Sequence, residues 1–214
     1  MNWEYAFQLY VTLIVSLTFH EAAHAWLAML GGDRTALYAG QVTLNPIAHM
    51  RREPFGTIVL PLLMLLSSNG QSVIGYAHAP YDPRWAARNP RKAALMAAGG
   101  PLANLLLVAI ASLAIYLVGR PVDDTDRAIR TIADLFLRIN LLLAIFNLMP
   151  LPPLDGVGIV RGLVPATEPL FRRLESIPYI ALVVFVLSPY WLYPLWHDAY
   201  YALDRLQPHP IAYR

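Results

Sequence analysis

His20-Glu21-Ala22-Ala23-His24 places two imidazoles and a carboxylate within a single helical turn. Two histidines at i and i+4 lie on one face of a helix, so both rings can give a nitrogen to the same metal ion. Glu21 lies about 100° round the helix from His20, placed to reach a water on the metal rather than the metal itself. Zinc lowers the pKa of such a water from about 15.7 to about 7, and a glutamate there can take its proton, so the spacing is that of a hydrolytic zinc site. The chain has no cysteine, which excludes disulfides and thiolate ligands and leaves His, Asp or Glu to hold any transition metal. The competing reading is a chance cluster with no metal. It is weakened by the setting, because residues 5–30 are otherwise almost wholly apolar and ionisable groups inside a bilayer are costly without partners.

A catalytic zinc takes three protein ligands. Asp155 is the best candidate for the third, a lone acid in the turn Met149-Pro150-Leu151-Pro152-Pro153-Leu154-Asp155-Gly156 between two apolar stretches. An Asx turn or a helix N-cap before Gly156 accounts for an aspartate there equally well. His49, His78, Glu168 and His197 are weaker competitors, each lying in polar or interfacial sequence.

The elements that must carry these groups read as membrane helices. Of 214 residues 57% are hydrophobic and 14% charged, against about a quarter charged in soluble domains; mean hydropathy is +0.45. A net charge of +2 without a basic run gives no support for a nucleic-acid partner. The start, Met-Asn-Trp-Glu, lacks the basic region and cleavage site of a removable signal peptide, so residues 5–30 are expected as a retained spanning helix ended by Gly31-Gly32. Residues 35–46 carry short β-prone runs around Gly40, which predicts a small β-hairpin. Residues 55–66 are apolar but too short for an ordinary span, with Pro61 in the middle, and predict a re-entrant or buried segment. Spanning helices are expected at 93–118 and at 131–149, where Asp134 and Arg138 at i,i+4 can neutralise each other. Residues 177–205 form a Pro-broken hydrophobic segment whose tail has the aromatic density of a membrane interface.

The expected fold is therefore an all-α, polytopic helical bundle, a single integral membrane domain over 1–214 with its core at 5–160. Helices 5–30, 93–118 and 131–149 form a three-helix catalytic core, joined by the small β-hairpin and the re-entrant segment. For His20, His24 and Asp155 to meet, the 55–66 segment must not cross, which leaves Ser68 on the ligand side. That side then carries Arg34, Arg51, Arg52, Arg84, Arg88, Arg91, Lys92, Arg161, Arg172 and Arg173, against Arg120, Arg127 and Arg130 opposite, with Arg205 and Arg214 added if the final segment crosses. By the positive-inside rule the ligand side is cytoplasmic.

The HExxH helix, Gly-Pro-Leu-Ala-Asn at 100–104, and Asn147 through Asp155-Gly156 together resemble the site-2 protease family. Gly40 to His49 and Pro54 to Thr57 further resemble its compact bacterial branch. The resemblance covers about residues 15 to 160 and leaves no room for a PDZ or CBS domain. It implies an intramembrane zinc metalloprotease of the cell inner membrane, acting on transmembrane protein or peptide substrates. It also implies Zn2+ as cofactor, Asp155 as third ligand, and Asn104 and Asn147 as residues that bond the substrate or its oxyanion. From residue type alone, each Asn would as readily be a helix–helix hydrogen bond. His78 stands where a lysine is expected, and Met50-Arg51-Arg52-Glu53 is unusually charged; both bear on substrate choice. Two other functions compete. A catalytically silent metalloprotein that sequesters helices would have no need of Glu21, and a metal transporter would want several ligating sites along a path. Oligomeric state has no sequence signal.

Overall fold

The computed structural model describes residues 1–207, with only the backbone of Pro189. Arg214 and the end of the expected 1–214 domain lie outside the described residues. Three helices there are long and apolar enough to cross a membrane. The first, α1, spans Trp3–Gly31; Asn2 caps it by accepting from the Tyr5 N–H, and Gly32, at φ 104° in the left-handed region, closes it.

Four short helices follow: α2 (Thr35–Tyr38), α3 (Pro46–Arg52), α4 (Leu60–Ser67, entered through a π-turn at Phe55–Val59) and α5 (Pro83–Arg88). The second long helix, α6, spans Pro90–Val118 and opens on a proline, which lacks the N–H that a first turn cannot satisfy. The third, α7, covers Asp124–Leu148. It begins at Asp124 rather than at 131, because the Asp123 carboxylate accepts from the Asp126 N–H and fixes the first turn there. Next come α8 (Asp155–Leu163), α9 (Glu168–Glu175) and α10 (Ile180–Arg205), the last bent by 48° between Ile180–Ser188 and Tyr190–Arg205.

Helix α6 packs against both α1 and α7, running antiparallel to each. Leu105, Leu106, Ile110, Leu113 and Leu117 of α6 remain exposed, an outward apolar face suited to lipid. The Asp134–Arg138 pair forms at 2.7 Å as the spacing predicts, and the Tyr200 hydroxyl donates to Asp134 at 2.7 Å, fastening α10 to α7.

The β-hairpin expected at 35–46 does not form; there is no strand among the described residues. Capping chemistry outweighs β propensity in this stretch. The Asp33 carboxylate accepts from the backbone N–H and hydroxyl of Thr35 and starts α2, and Asn45 followed by Pro46 starts α3. Gly40, at φ 68°, lies in the turn between them.

Residues 55–82 run along α1 and back again. Helix α4 descends beside α1, with Leu65 in a cluster with Ala6 and Leu9. The turn at Gly70 touches Met1 and Ala6. Ser68 therefore lies toward the N-terminal end of α1, not on the ligand side. From there the chain returns without regular structure, past Leu13 at Gly75, to Asp82, whose N–H donates to Asp33 at 2.7 Å. The twelve steps from Gly70 to Asp82, at about 3.3 Å each, reach up to roughly 40 Å, enough to match a bilayer's depth.

Candidate metal centre

His20, Glu21 and His24 lie in the second half of α1 and are all buried. Nε2 of His20 and Nε2 of His24 face each other at 3.0 Å. Their other ring nitrogens are engaged from α6: Nδ1 of His20 is 2.6 Å from Asn104 Oδ1, and Nδ1 of His24 is 2.7 Å from the Met96 carbonyl. Oxygens of this kind accept, so Nδ1 of each ring carries the proton and Nε2 presents its lone pair.

Asp155 opens α8, and its Oδ2 stands 3.1 Å from His20 Nε2 and 3.3 Å from His24 Nε2. Helix α8 leaves this point along the first turns of α6. Gly158 and Gly162 allow the approach, since a methyl on either would overlap Ala97 or Ala94. Asp155 lies outside the spanning helices. A carboxylate oxygen facing two imidazole lone pairs receives no hydrogen from either, an arrangement suited to a cation between the three atoms.

These three atoms fit a zinc ion. Bonds of about 2.0–2.1 Å in a tetrahedron put its corners about 3.3–3.4 Å apart, and the observed separations are 3.0, 3.1 and 3.3 Å. Asp155 Oδ2 is buried without a hydrogen-bond partner, as is Oε2 of Glu21 next to the cluster. Buried carboxylate oxygens are rarely left so without a reason. Gly100 closes the space from α6: a methyl there would overlap Nε2 of both histidines and fill the site.

Of the other expected site residues, Asn104 stands behind His20, fully buried, with its amide nitrogen on Asn140. Asn147 is half-buried in the last turn of α7, its amide nitrogen on the Leu143 carbonyl. His49 is buried on the Thr43 carbonyl and His78 pairs with Glu53 at 3.0 Å. Glu168 pairs with Arg161 and His197 with Asp198. Gly100 and the Met96 carbonyl were not singled out from sequence. Gly100 stood inside a quoted motif, but a carbonyl contributes no signal of its own.

The family model described as "Peptidase family M50" matches residues 122–189. The chain is 38% identical over 194 residues to "Putative zinc metalloprotease YwhC" of Bacillus subtilis (strain 168), covering 88% of this chain and 84% of that one. It is 29% identical over 182 residues to "Putative zinc metalloprotease Rip2" of Mycolicibacterium smegmatis, covering 82% of this chain and 65% of that one. The Rip2 of Mycobacterium tuberculosis (strain H37Rv) is 29% identical over 194 residues, 85% of this chain and 71% of that one. No solved structure gives a significant match.

Proposed function

The chain belongs to peptidase family M50, the zinc-dependent site-2 proteases, and on that premise we propose that it cuts peptide bonds of membrane-embedded substrates at a centre made by His20, His24, Asp155 and Glu21. The observation that carries this reading is the convergence of two Nε2 lone pairs from an apolar, membrane-length helix and an unpartnered carboxylate oxygen from α8 at tetrahedral spacing. Zinc supplies a Lewis acid that makes water a nucleophile near neutral pH and polarises a carbonyl.

The chain's own residues supply the rest. Glu21, buried with a free oxygen beside the histidines, takes the proton of the attacking water and later delivers it to the leaving amine. Asp155 and the two buried histidines fix the metal. Asn147, in the α7 turn leading to Asp155, is the residue we assign to the oxyanion, a contact worth roughly 3 kcal/mol in other proteases. Asn104 we assign to holding the His20 ring.

A substrate helix must unwind before its carbonyls can be attacked, because its backbone groups are bonded internally. The extended return of residues 73–81 offers an edge for the unwound strand. Among the described residues its one backbone hydrogen bond runs from the Tyr76 N–H to the Gly56 carbonyl. Alternation then turns the Gly75 and Ala77 N–H groups the other way, open to a partner strand. An intact Glu21 disfavours a silent helix-binding protein. The test is cleavage of single-span peptides in liposomes by the purified protein. Cuts within the span support the reading, and cuts confined to soluble peptides sink it. We place the enzyme in the cell inner membrane as a multi-pass protein with the metal end cytoplasmic, because the arginines of 51–92 cluster at that end.

A further inference from the structure

A polar chain leaves the back of His20 and returns to the helix it started from. His20 Nδ1 meets Asn104 Oδ1 on α6 at 2.6 Å, and Asn104 Nδ2 donates to Asn140 Oδ1 on α7 at 2.8 Å. Asn140 Nδ2 then donates to Ser16 Oγ on α1 at 2.9 Å and to the Phe136 carbonyl at 2.8 Å. Ser16, one turn before His20, donates to the Thr12 carbonyl at 2.7 Å. Asn104, Asn140 and Ser16 are each 0% exposed, so their partners are one another rather than water.

The far end dictates the direction of every bond. A backbone carbonyl only accepts, so the group that Asn140 turns to Phe136 is its NH2. Its Oδ1 is left facing Asn104, which must answer with its own NH2 and so present Oδ1 to His20. An oxygen there requires the ring proton on Nδ1. We propose that Asn140 and Ser16 are positioning residues of the metal site, which act through Asn104 to lock His20 in the tautomer and orientation that leave Nε2 free for zinc. This rests on the zinc reading above. As glue between helices, the same residues would hold α1, α6 and α7 together with either end of each amide in either place. The fixed direction is what a metal ligand needs and glue does not.

The test is a zinc-competition titration of the detergent-purified protein against a graded chelator, with folding followed by circular dichroism. Asn140→Leu removes both ends of the middle link and frees the Asn104 amide to turn its NH2 toward His20. Zinc affinity should fall about tenfold, the lower end for partners of metal ligands. Asn104→Leu should cost at least as much, and the double variant no more than Asn104→Leu alone, because both act through one bond. Asn140→Asp, whose buried carboxyl stays protonated, can accept from Asn104 and donate to Phe136, and should restore most of the affinity. Nitrogen-15 spectra of the metal-free protein should show His20 as Nδ1–H in the parent and partly as Nε2–H in Asn140→Leu, a change that a purely structural role would not produce. If Asn140→Leu does not fold, Ser16→Ala carries the same test, with a few-fold loss that again fails to add to Asn104→Leu. Parent affinity in Asn140→Leu, or losses that add in the double variant, overturn the proposal. Full zinc in a His20→Ala/His24→Ala variant would instead sink the zinc reading itself.

Discussion

Oδ2 of Asp155 stands 3.1 Å from Nε2 of His20, at the meeting point of α8 and α1. The helix between them in sequence, α6, makes this possible: it touches the histidines through Gly100 and lets α8 lie close on Ala94 and Ala97. The metal centre is thus assembled from three elements, and each can be probed separately.

Asp155→Asn should weaken zinc binding by tenfold or more, on the order of what partners of metal ligands cost and above, and should abolish cleavage. Asp134→Asn should leave zinc and cleavage in place and lower thermal stability, since it removes the charged carboxylate that both Arg138 and Tyr200 bond. Zinc analysis and melting curves of the two variants separate the roles. Equal zinc loss in both would remove Asp155 from its special place.

Gly100→Ala puts a methyl in the space proposed for the ion, overlapping Nε2 of both histidines. Alanine favours a helix over glycine by roughly 1 kcal/mol, so the helix itself should not suffer. Zinc content should nonetheless drop below about a tenth of the parent's, a loss of the order expected when a metal ligand's surroundings are disturbed. A fully loaded Gly100→Ala protein would show that the space beside the imidazoles is not the metal's.

How much of this was legible follows from which interactions leave a local mark. His20, Glu21 and His24 share one helix, so a spacing of four was enough to group them. Asp155 needed the motif around it. Asn140 and Ser16 left no mark, because an Asn or Ser in an apolar helix reads as a helix contact until its partners on other helices are known. Residues 35–46 were misread because alternating Thr, Leu, Tyr and Val resemble strands, whereas the Asp33 carboxylate and the Asn45 side-chain amide oxygen, accepting from the N–H groups of Thr35 and Ile47, decide for helix. The position of Ser68 depended on a descent of α4 that apolar length alone does not reveal.

Asp33 also gives a pH test outside the spanning helices. Burial works against its ionised form, but the Thr35 hydroxyl and the Asp82 and Thr35 N–H groups outweigh this and lower its carboxyl pKa. With the folded value depressed, its contribution is complete above the unfolded value of about 3.9 and is lost as pH falls through the folded value. Asp33→Asn should cost about 1–3 kcal/mol near neutral pH, and the gap in melting temperature from the parent should close toward pH 3. A gap that stays constant with pH would refute the assignment.

Ala77→Pro removes an N–H that the alternation at Tyr76 turns away from Gly56. The neighbouring Tyr76 lies outside any helix, and a residue before proline disfavours the helical region. Cleavage of membrane substrates should fall severalfold with zinc content unchanged, because only the edge for the substrate strand is lost. Unchanged turnover would show that this edge does not pair with substrate.

The most direct test compares purified parent and Glu21→Gln protein for both zinc content and cleavage of a single-span peptide. Gln keeps the size of the side chain but cannot take a proton, and it replaces a carboxylate whose oxygen lies within 4.8 Å of the histidine nitrogens. The account predicts one zinc per chain in both proteins and turnover only in the parent. Cleavage by Glu21→Gln at the parental rate, or loss of its zinc, would contradict the assignment of Glu21 as the base beside a His20–His24–Asp155 centre.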